Sequence, residues 1–113
     1  MSELMHPARQ DLSLTRIMAA LGDATRFAIV CNLHRNRAGL NCGLAAAPFT
    51  HVPRSTLTSH FRVLREAGVI RMTRKGVEFI NTLRFDDLEA RFPGLLPRLM
   101  AFEERPAAQS SVA

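Results

Sequence analysis

The sequence predicts a mostly helical α+β domain with one small β-hairpin, and three patterns support this fold class. Apolar residues recur at helical spacing over much of 12–103, strand-forming residues concentrate in 69–83, and glycines and prolines separate these segments. The chain has 113 residues, 47% of them hydrophobic and 22% charged, which suits one soluble core. We therefore expect a single domain over 1–113, ordered from about 12 to 104, with loose ends at 1–10 and 106–113.

Composition also limits where the chain is expected to work. It contains no run of about 18 uncharged apolar residues, and its first ten residues show no apolar stretch typical of a secretion signal. Its two cysteines, Cys31 and Cys42, are too few for a disulfide framework. We expect a cytoplasmic protein without a membrane partner.

Three helices are expected in the first half of the chain, over about 12–21, 24–36 and 42–47. Leu14, Ile17 and Met18 share one face of the first helix. Asp23 is a favourable N-cap for the second. Pro48 ends the third, because a residue that precedes proline is disfavoured in helical geometry.

The fourth predicted helix is apolar on one side and polar or cationic on the other. It begins at Pro53 and runs to Ala67, and Gly68 is its left-handed cap. The inner face is formed at i, i+4 and i+7 by Leu57, Phe61 and Leu64. The outer face and its flank carry Arg54, Ser55, Thr58, Ser59, Arg62 and Arg65.

A hairpin and a divided helical segment complete the prediction. Strand formers occupy 69–73 and 77–83, and the residues Arg74-Lys75-Gly76 between them are expected to form the turn. Asp86-Asp87-Leu88 opens the last segment, and Phe92-Pro93-Gly94 should divide it into a short helix and a longer one. The apolar stripe of this segment exceeds what a small monomer needs.

The excess positive charge lies in one stretch. Residues 54–76 hold six basic residues against one acid, Glu66, whereas the rest of the chain balances nine basic against nine acidic residues. Such a local excess is typical of a surface that meets nucleic-acid phosphates. The six basic residues are Arg54, Arg62, Arg65, Arg71, Arg74 and Lys75.

Three helices, an exposed basic helix, a hairpin and further helices are the order of a winged helix-turn-helix. Residues 21–27 (LGDATRF) and 55–70 (STLTSHFRVLREAGVI) resemble the ArsR/SmtB family of small bacterial repressors, and the similarity extends over roughly 12–103. The resemblance implies a homodimeric repressor of transcription on an inverted-repeat operator. It also implies that the first and last helices join the two subunits, through Leu14, Ile17, Met18, Leu95, Leu96 and Leu99.

By position, the resemblance assigns two sets of DNA contacts. It places Arg54, Ser55, Thr58 and Ser59 at base edges, which determine sequence preference. It places Arg62, Arg65, Arg74 and Lys75 at phosphates, which determine affinity and register. The link 48–52 is longer than is usual in the family, and Phe49 and Val52 are expected to fill apolar positions there. His60 is predicted equally well as a packed side chain or a DNA contact.

The sequence does not identify an inducer: no inducer at all, a metal, an oxidant, sulfide and an apolar ligand are all compatible with it. Cys31 and Cys42 lie on neighbouring predicted helices and are candidates for a thiol redox switch, although little nearby would lower a thiol pKa. Cys31 and His34 are the only local sulfur and nitrogen pair, which is fewer ligands than zinc requires. We predict no metal site and no cofactor.

Other classes of function are less consistent with these residues. A protein-docking winged helix would not need so many concentrated cations, and an RNA-binding one would be expected to expose aromatic residues on its wing. The sequence contains neither a phosphate-binding glycine loop nor a nucleophile in a recognisable catalytic setting, so we do not expect an enzyme. The leading prediction is a sequence-specific DNA-binding regulator.

Overall fold

The computed structural model describes residues 5–103; residues 1–4 of the predicted loose N-terminal end and the whole predicted loose C-terminal end, 106–113, lie outside this range. Its helices are α1 (Leu14–Leu21), α2 (Ala24–Arg35), α3 (Cys42–Ala46), α4 (Arg54–Glu66), α5 (Phe85–Arg91) and α6 (Leu95–Met100). Its strands are β1 (Leu40–Asn41), β2 (Ile70–Lys75) and β3 (Glu78–Leu83). This mixed architecture confirms the predicted fold class.

The helix boundaries follow local capping chemistry. The Asp23 carboxylate accepts a hydrogen bond from the Arg26 backbone N–H at 3.0 Å, so Asp23 is the N-cap of α2 as predicted. Ser13 caps α1 in the same way, which starts that helix later than expected. After α3, a 3-10 turn over Ala47–Phe49 contains Pro48. Gly68 has a φ of +85°, which confirms the left-handed cap after α4.

The sheet has three antiparallel strands in the order β1-β3-β2. The sequence prediction missed β1 because a strand of two residues has no recognisable period. The predicted turn was also wrong: Arg74 and Lys75 belong to β2 and pair with Phe79 and Glu78, so the turn is Gly76-Val77. Gly76 has a φ of +64°, as the first central residue of a type II′ turn requires.

The core fixes the orientation of α4. Leu57 and Leu64 are buried and Phe61 is partly buried against the core, as predicted for its inner face. Phe49 is buried and Val52 packs against the core, so both fill the expected apolar positions in the link. The core also contains Ile29, Val30, Leu33, Val69, Ile70 and Leu88.

Two residues predicted at the dimer interface are core residues instead. Ile17 is 0% exposed and Leu96 is 1% exposed, and both pack in the interior of this one subunit. Each lies on the inward side of its helix, and the sequence stripe could not separate that side from the adjacent outward one. Neither side chain is available to a partner in this conformation.

Residues 6–11 correct the expectation of a loose N-terminal end for that segment. The backbone N–H of Met72 donates to His6 Nε2 at 3.1 Å, and Arg84 Nη1 donates to the Pro7 carbonyl at 2.7 Å. A 3-10 turn over Arg9–Asp11 then leads toward α1. Because β2 is an edge strand, this arm supplies a partner to a backbone group that the sheet leaves unpaired.

The C-terminal segment is divided as predicted, but its second helix is not the longer one within the described residues. Gly94 has a φ of +81° and separates α5, of seven residues, from α6, of six. Pro97 is the third residue of α6 and therefore lies in the first turn, where a proline is tolerated. No helix in the range 5–103 has both the length and the apolar character needed to cross a membrane.

Candidate nucleic-acid interface

One side of α4 presents an exposed row of cations and hydroxyls. Arg54, Ser55, Thr58 and Arg62 are exposed, and Ser59 is half-buried with its Oγ 3.5 Å from Arg62 Nη2. They lie opposite the inner face that Leu57 and Leu64 anchor in the core. The packing of α4 therefore turns the predicted base-reading residues toward solvent.

The hairpin extends this surface. Arg74 and Lys75 are exposed at the end of β2, and Val77 at the tip is 95% exposed. Arg74 Nε donates to the Gly76 carbonyl at 3.3 Å, and its guanidinium lies 5.7 Å from the centre of the Phe79 ring. We call one set of residues on α4 and β2 the cationic face: the exposed Arg54, Ser55, Thr58, Arg62, Arg74 and Lys75, together with the half-buried Ser59.

The basic residues of the cationic face lack acidic partners. Across residues 5–103, no carboxylate lies within 4.0 Å of the side-chain nitrogens of Arg54, Arg62, Arg74 or Lys75. The positive charge is therefore not neutralised by an ion pair within the described chain. An unpaired, exposed guanidinium can donate hydrogen bonds to phosphate or to guanine.

Arg65 differs from the other predicted phosphate-binding residues. It is half-buried, and its Nη1 lies 3.6 Å from the sulfur of Met72. Its Nε is buried and has no hydrogen-bond partner among residues 5–103. Arg65 lines a cleft of about 840 Å³ that also borders on α3, the link after α3, and β2. No local sequence pattern predicts this cleft, because its walls come from α3 and the following link, α4, β2 and β3.

His60 is a packed side chain in this structure, which favours the first of its two predicted roles, packing, over the second, a DNA contact. Its side chain is 14% exposed, and its Nδ1 lies 3.1 Å from Arg26 Nη1. Because a guanidinium can only donate, Nδ1 is the acceptor of that hydrogen bond. Arg26 Nε also donates to the Ala20 carbonyl at 2.7 Å, so Arg26 links the end of α1 to α4.

The environments of the two cysteines differ. The pKa of Cys31 is raised to about 11, first by burial and then by the charge of the nearby Glu103 carboxylate, which outweighs the opposite effect of Arg35. Such a thiol is the opposite of the activated thiolate that a redox switch needs. Cys42 is exposed at the start of α3. His34 stacks near Phe85, with ring centres 5.8 Å apart, and residues 5–103 contain no cluster of three potential metal ligands.

The remaining predicted interface residues do present apolar surface. Leu14 is 41% exposed and Met18 is 55% exposed on α1, while Leu95 and Leu99 are partly exposed on α6. Phe102, which directly follows α6, is 69% exposed and belongs to the same apolar stripe in the sequence. Where such side chains form one contiguous patch, the patch is typical of a surface that binds another protein.

A curated protein and two solved structures are similar to this chain, whereas no model of a protein family matches it. The chain is 31% identical over 84 residues to the uncharacterized HTH-type transcriptional regulator YceK of Bacillus subtilis (strain 168). The aligned residues cover 74% of this chain and 83% of that protein.

Two solved structures share the fold. A crystal structure of an ArsR family transcriptional regulator has a TM-score of 0.60 and 24% identity, and the match covers 90% of this chain and all of the other. An ArsR-like transcriptional regulator from Rhodococcus sp. RHA1 has a TM-score of 0.58 and 24% identity, covering 88% and 92% of the two chains. The chain thus belongs to the HTH-type transcriptional regulators and has the winged helix-turn-helix fold of the ArsR family.

Proposed function

We propose that this regulator is a homodimeric repressor that binds an inverted-repeat DNA operator in the cytoplasm through its cationic face. The observation that carries the proposal is the unpaired charge of that face. Arg54 and Arg62 lie beside exposed hydroxyls on α4, and no carboxylate in the described residues lies within 4.0 Å of them. A helix of this kind fits the major groove, where it can reach both bases and phosphates.

Within the cationic face we assign two roles. Arg54, Ser55, Thr58 and Ser59 read base edges, because they lie along the outer side of α4 from its first residue onward. Arg62 contacts phosphate farther along the helix, and Arg74 and Lys75 contact the flanking backbone from the wing. Arg65 contributes less to the interface, because its guanidinium is half-buried against Met72.

The dimer is proposed to form through the apolar surface of α1 and α6. Leu14, Met18, Leu95 and Leu99 remain available on that surface, and Phe102 extends it. Two α4 helices related by a two-fold axis would enter successive major grooves about 34 Å apart. That spacing requires an operator whose two halves are inverted copies.

The salt dependence of DNA affinity tests the interface. If about three to four phosphates per subunit are neutralised, log affinity should fall against log salt with a slope on the order of −5 to −7 for the dimer. Duplexes selected from a random pool should contain an inverted repeat. A slope near zero, or selected duplexes without a common motif, would contradict the proposal.

Substitutions test the division of roles. Arg54→Ala and Ser59→Ala should relax base preference, whereas Lys75→Ala should weaken binding to selected and random duplexes alike. Equal losses on both kinds of duplex for all three variants would refute the assignment. Competition between duplex DNA and a structured RNA at one salt concentration tests the alternative of RNA binding. If that alternative is correct, the RNA should displace a bound duplex more strongly than unlabelled duplex DNA does.

A further inference from the structure

We propose that the cleft beside α4 binds a small organic anion with an apolar body. The cleft has a volume of about 840 Å³ and lies between α3, the link 47–53, α4 and β2. Pockets for small organic ligands have volumes of roughly 300–1,000 Å³. The space therefore suits one small molecule.

The cleft has an apolar lining that favours a hydrophobic ligand body. Phe49, Val52, Leu57, Phe61 and Met72 contribute to its walls. Their aromatic, branched and thioether side chains give the cleft the mainly apolar surface that is typical of ligand sites. Contact with this lining would remove apolar area of the ligand from water and so favour binding.

The charge of the cleft selects an anion. Arg54, Arg62 and Arg65 line it from three different turns of α4, and none of its lining residues is an aspartate or glutamate. Nor does any carboxylate of residues 5–103 lie within 4.0 Å of these guanidinium groups. A carboxylate or sulfonate would supply the missing counter-charge, and guanidinium groups match the geometry of both.

Two buried polar atoms at the cleft lack partners. Asn81 is 1% exposed; its Nδ2 donates to the Leu40 carbonyl at 3.3 Å, but its Oδ1 has no partner in the described chain. Arg65 Nε is likewise buried without a partner there. Both residues line the cleft, and a buried polar atom without a hydrogen-bond partner destabilises the fold. A small reorientation of these side chains toward an anion that carries a neighbouring hydroxyl or N–H group would pair both atoms.

Ligand binding is expected to oppose DNA binding, and this step rests on the proposed function. Arg54 and Arg62 line the cleft and also belong to the cationic face. An anion held by them neutralises charge that phosphates would otherwise meet. The cleft would thus allow a small acid to release the regulator from its operator.

Two dyes with a common ring system test the site. The probe is 8-anilinonaphthalene-1-sulfonate, which combines a sulfonate and an N–H group with an aromatic body, and N-phenyl-1-naphthylamine is its counterpart without the sulfonate. We expect saturable binding of one sulfonate dye per subunit, with at least about tenfold higher affinity than the neutral dye, because charged hydrogen bonds are involved. Equal affinities for the two dyes would overturn the anion assignment.

Variants locate the dye. Ala46→Phe fills the cleft from α3, outside the cationic face, and should abolish binding of both dyes. Arg65→Met should weaken the sulfonate dye about tenfold and leave the neutral dye nearly unchanged. Val77→Thr removes an exposed apolar side chain at the hairpin tip, which does not line the cleft, and should have no effect on either dye. Unchanged dye binding in Ala46→Phe, or its loss in Val77→Thr, would refute the cleft as the site.

A second approach avoids substitution. Alkylation of the exposed Cys42 with N-ethylmaleimide in the folded wild-type protein places a bulky group in the cleft lining and should block the dye. Retained dye affinity after complete alkylation would contradict the proposal even if Ala46→Phe failed to fold.

Separate measurements keep the two proposals distinguishable. Dye binding is measured without DNA, and selection of duplexes from a random pool is carried out without dye. Dye binding without any selected motif would support the cleft and refute the proposed function. A selected motif without dye binding would support the proposed function and refute the cleft. When both occur, the dye should raise the Kd of the duplex, whereas independent binding would refute the regulatory step.

Discussion

The arginines around Asp87 and those of the cationic face show how differently one residue type serves two regions of this molecule. Asp87 lies 2.7 Å from Arg9 Nε, 2.9 Å from Arg84 Nε and 3.7 Å from Arg71 Nη2. We call these four residues the Asp87 cluster. In the cationic face, by contrast, the basic residues have no carboxylate within 4.0 Å among residues 5–103. The first arrangement joins segments of one chain, and the second leaves charge for a partner.

Backbone carbonyls extend the same contrast. Arg91 Nη1 donates to the carbonyls of Arg9 and Leu12 at 2.9 and 3.0 Å, and so holds the segment 9–12 against α5. Arg71 shows why counting charges is insufficient: it belongs to the basic stretch of the sequence, yet its side chain approaches Asp87. Local pairing, rather than the number of arginines, distinguishes the surface that can bind a polyanion.

The largest expected effect is on stability, from substitution of Arg84 in the Asp87 cluster. The Arg84 side chain is 2% exposed and contacts both Asp87 and the Pro7 carbonyl. Arg84→Met removes a buried guanidinium that pairs with the partly exposed Asp87 and donates to the Pro7 carbonyl, and should lower the free energy of unfolding by about 2–3 kcal/mol. Urea denaturation measures the change. Arg74→Ala, in the cationic face, is the control and should change it by less than about 0.5 kcal/mol; a similar loss in both variants would remove the contrast.

Local sequence signals account for much of the fold. Asp23, Pro48 and Gly68 mark helix boundaries through capping and backbone geometry, and these predictions are confirmed. The spacing of Leu57 and Leu64 also predicts which side of α4 is buried, and hence which side is exposed. The base-reading and phosphate roles assigned to that side remain predictions.

Features that depend on distant residues were not predictable in this way. The Arg9–Asp87 pair joins residues 78 positions apart, and the bond from Met72 to His6 joins residues 66 positions apart. Neither creates a local pattern. The pairing of β1 with β3, the cleft beside α4 and the burial of Ile17 and Leu96 also depend on residues distant in the sequence.

The second prediction concerns the two thiols, which lie in different environments. With a pKa of about 11, roughly one part in a thousand of Cys31 is thiolate at pH 8, and the side chain is buried as well. Iodoacetamide should therefore modify the exposed Cys42 at least about 100-fold faster than Cys31 in the folded protein. Mass spectrometry of timed digests measures both rates, and equal rates would show that Cys31 is accessible.

Treatment with peroxide or persulfide tests the alternative in which the two thiols form a redox switch. A Cys31–Cys42 switch requires that peroxide or persulfide modify both thiols and alter operator affinity. We expect both Cys31 and operator affinity to remain unchanged, because a buried protonated thiol is a poor nucleophile. Formation of an intramolecular disulfide with a change in affinity would establish the redox switch instead.

The third prediction removes charge from the cationic face. Arg62→Ala should weaken binding of the dimer to any duplex about tenfold and make the salt slope less negative by about 2, because one phosphate contact per subunit is lost. Arg37→Ala removes an equal charge from a residue whose guanidinium lies over the Phe85 ring, outside the cationic face. Fluorescence anisotropy over a salt series measures both variants. Equal losses would mean that overall charge, rather than this surface, determines affinity.

The smallest expected effect is the contribution of Asp87 to acid stability. Burial alone would raise the pKa of Asp87, but hydrogen bonds from Arg9 and Arg84 and their charges together lower it below its ordinary value. An aspartate with a lowered pKa in the folded state stabilises the protein fully above about pH 4, and this stabilisation is lost as the pH falls toward the folded pKa. Wild-type stability should therefore fall on acidification below about pH 4.

Asp87→Asn should be less stable than the wild type at pH 7 and should show a shallower decline below pH 4, because it lacks this titrating group. Asp23→Asn is the matched control: the pKa of Asp23 is also lowered, mainly by the backbone N–H of Arg26, but the residue lies outside the cluster. Urea midpoints between pH 2.5 and 7 measure both variants. An acid decline unchanged in Asp87→Asn would show that the cluster contributes no pH-dependent stability and would reduce its contrast with the cationic face to geometry alone.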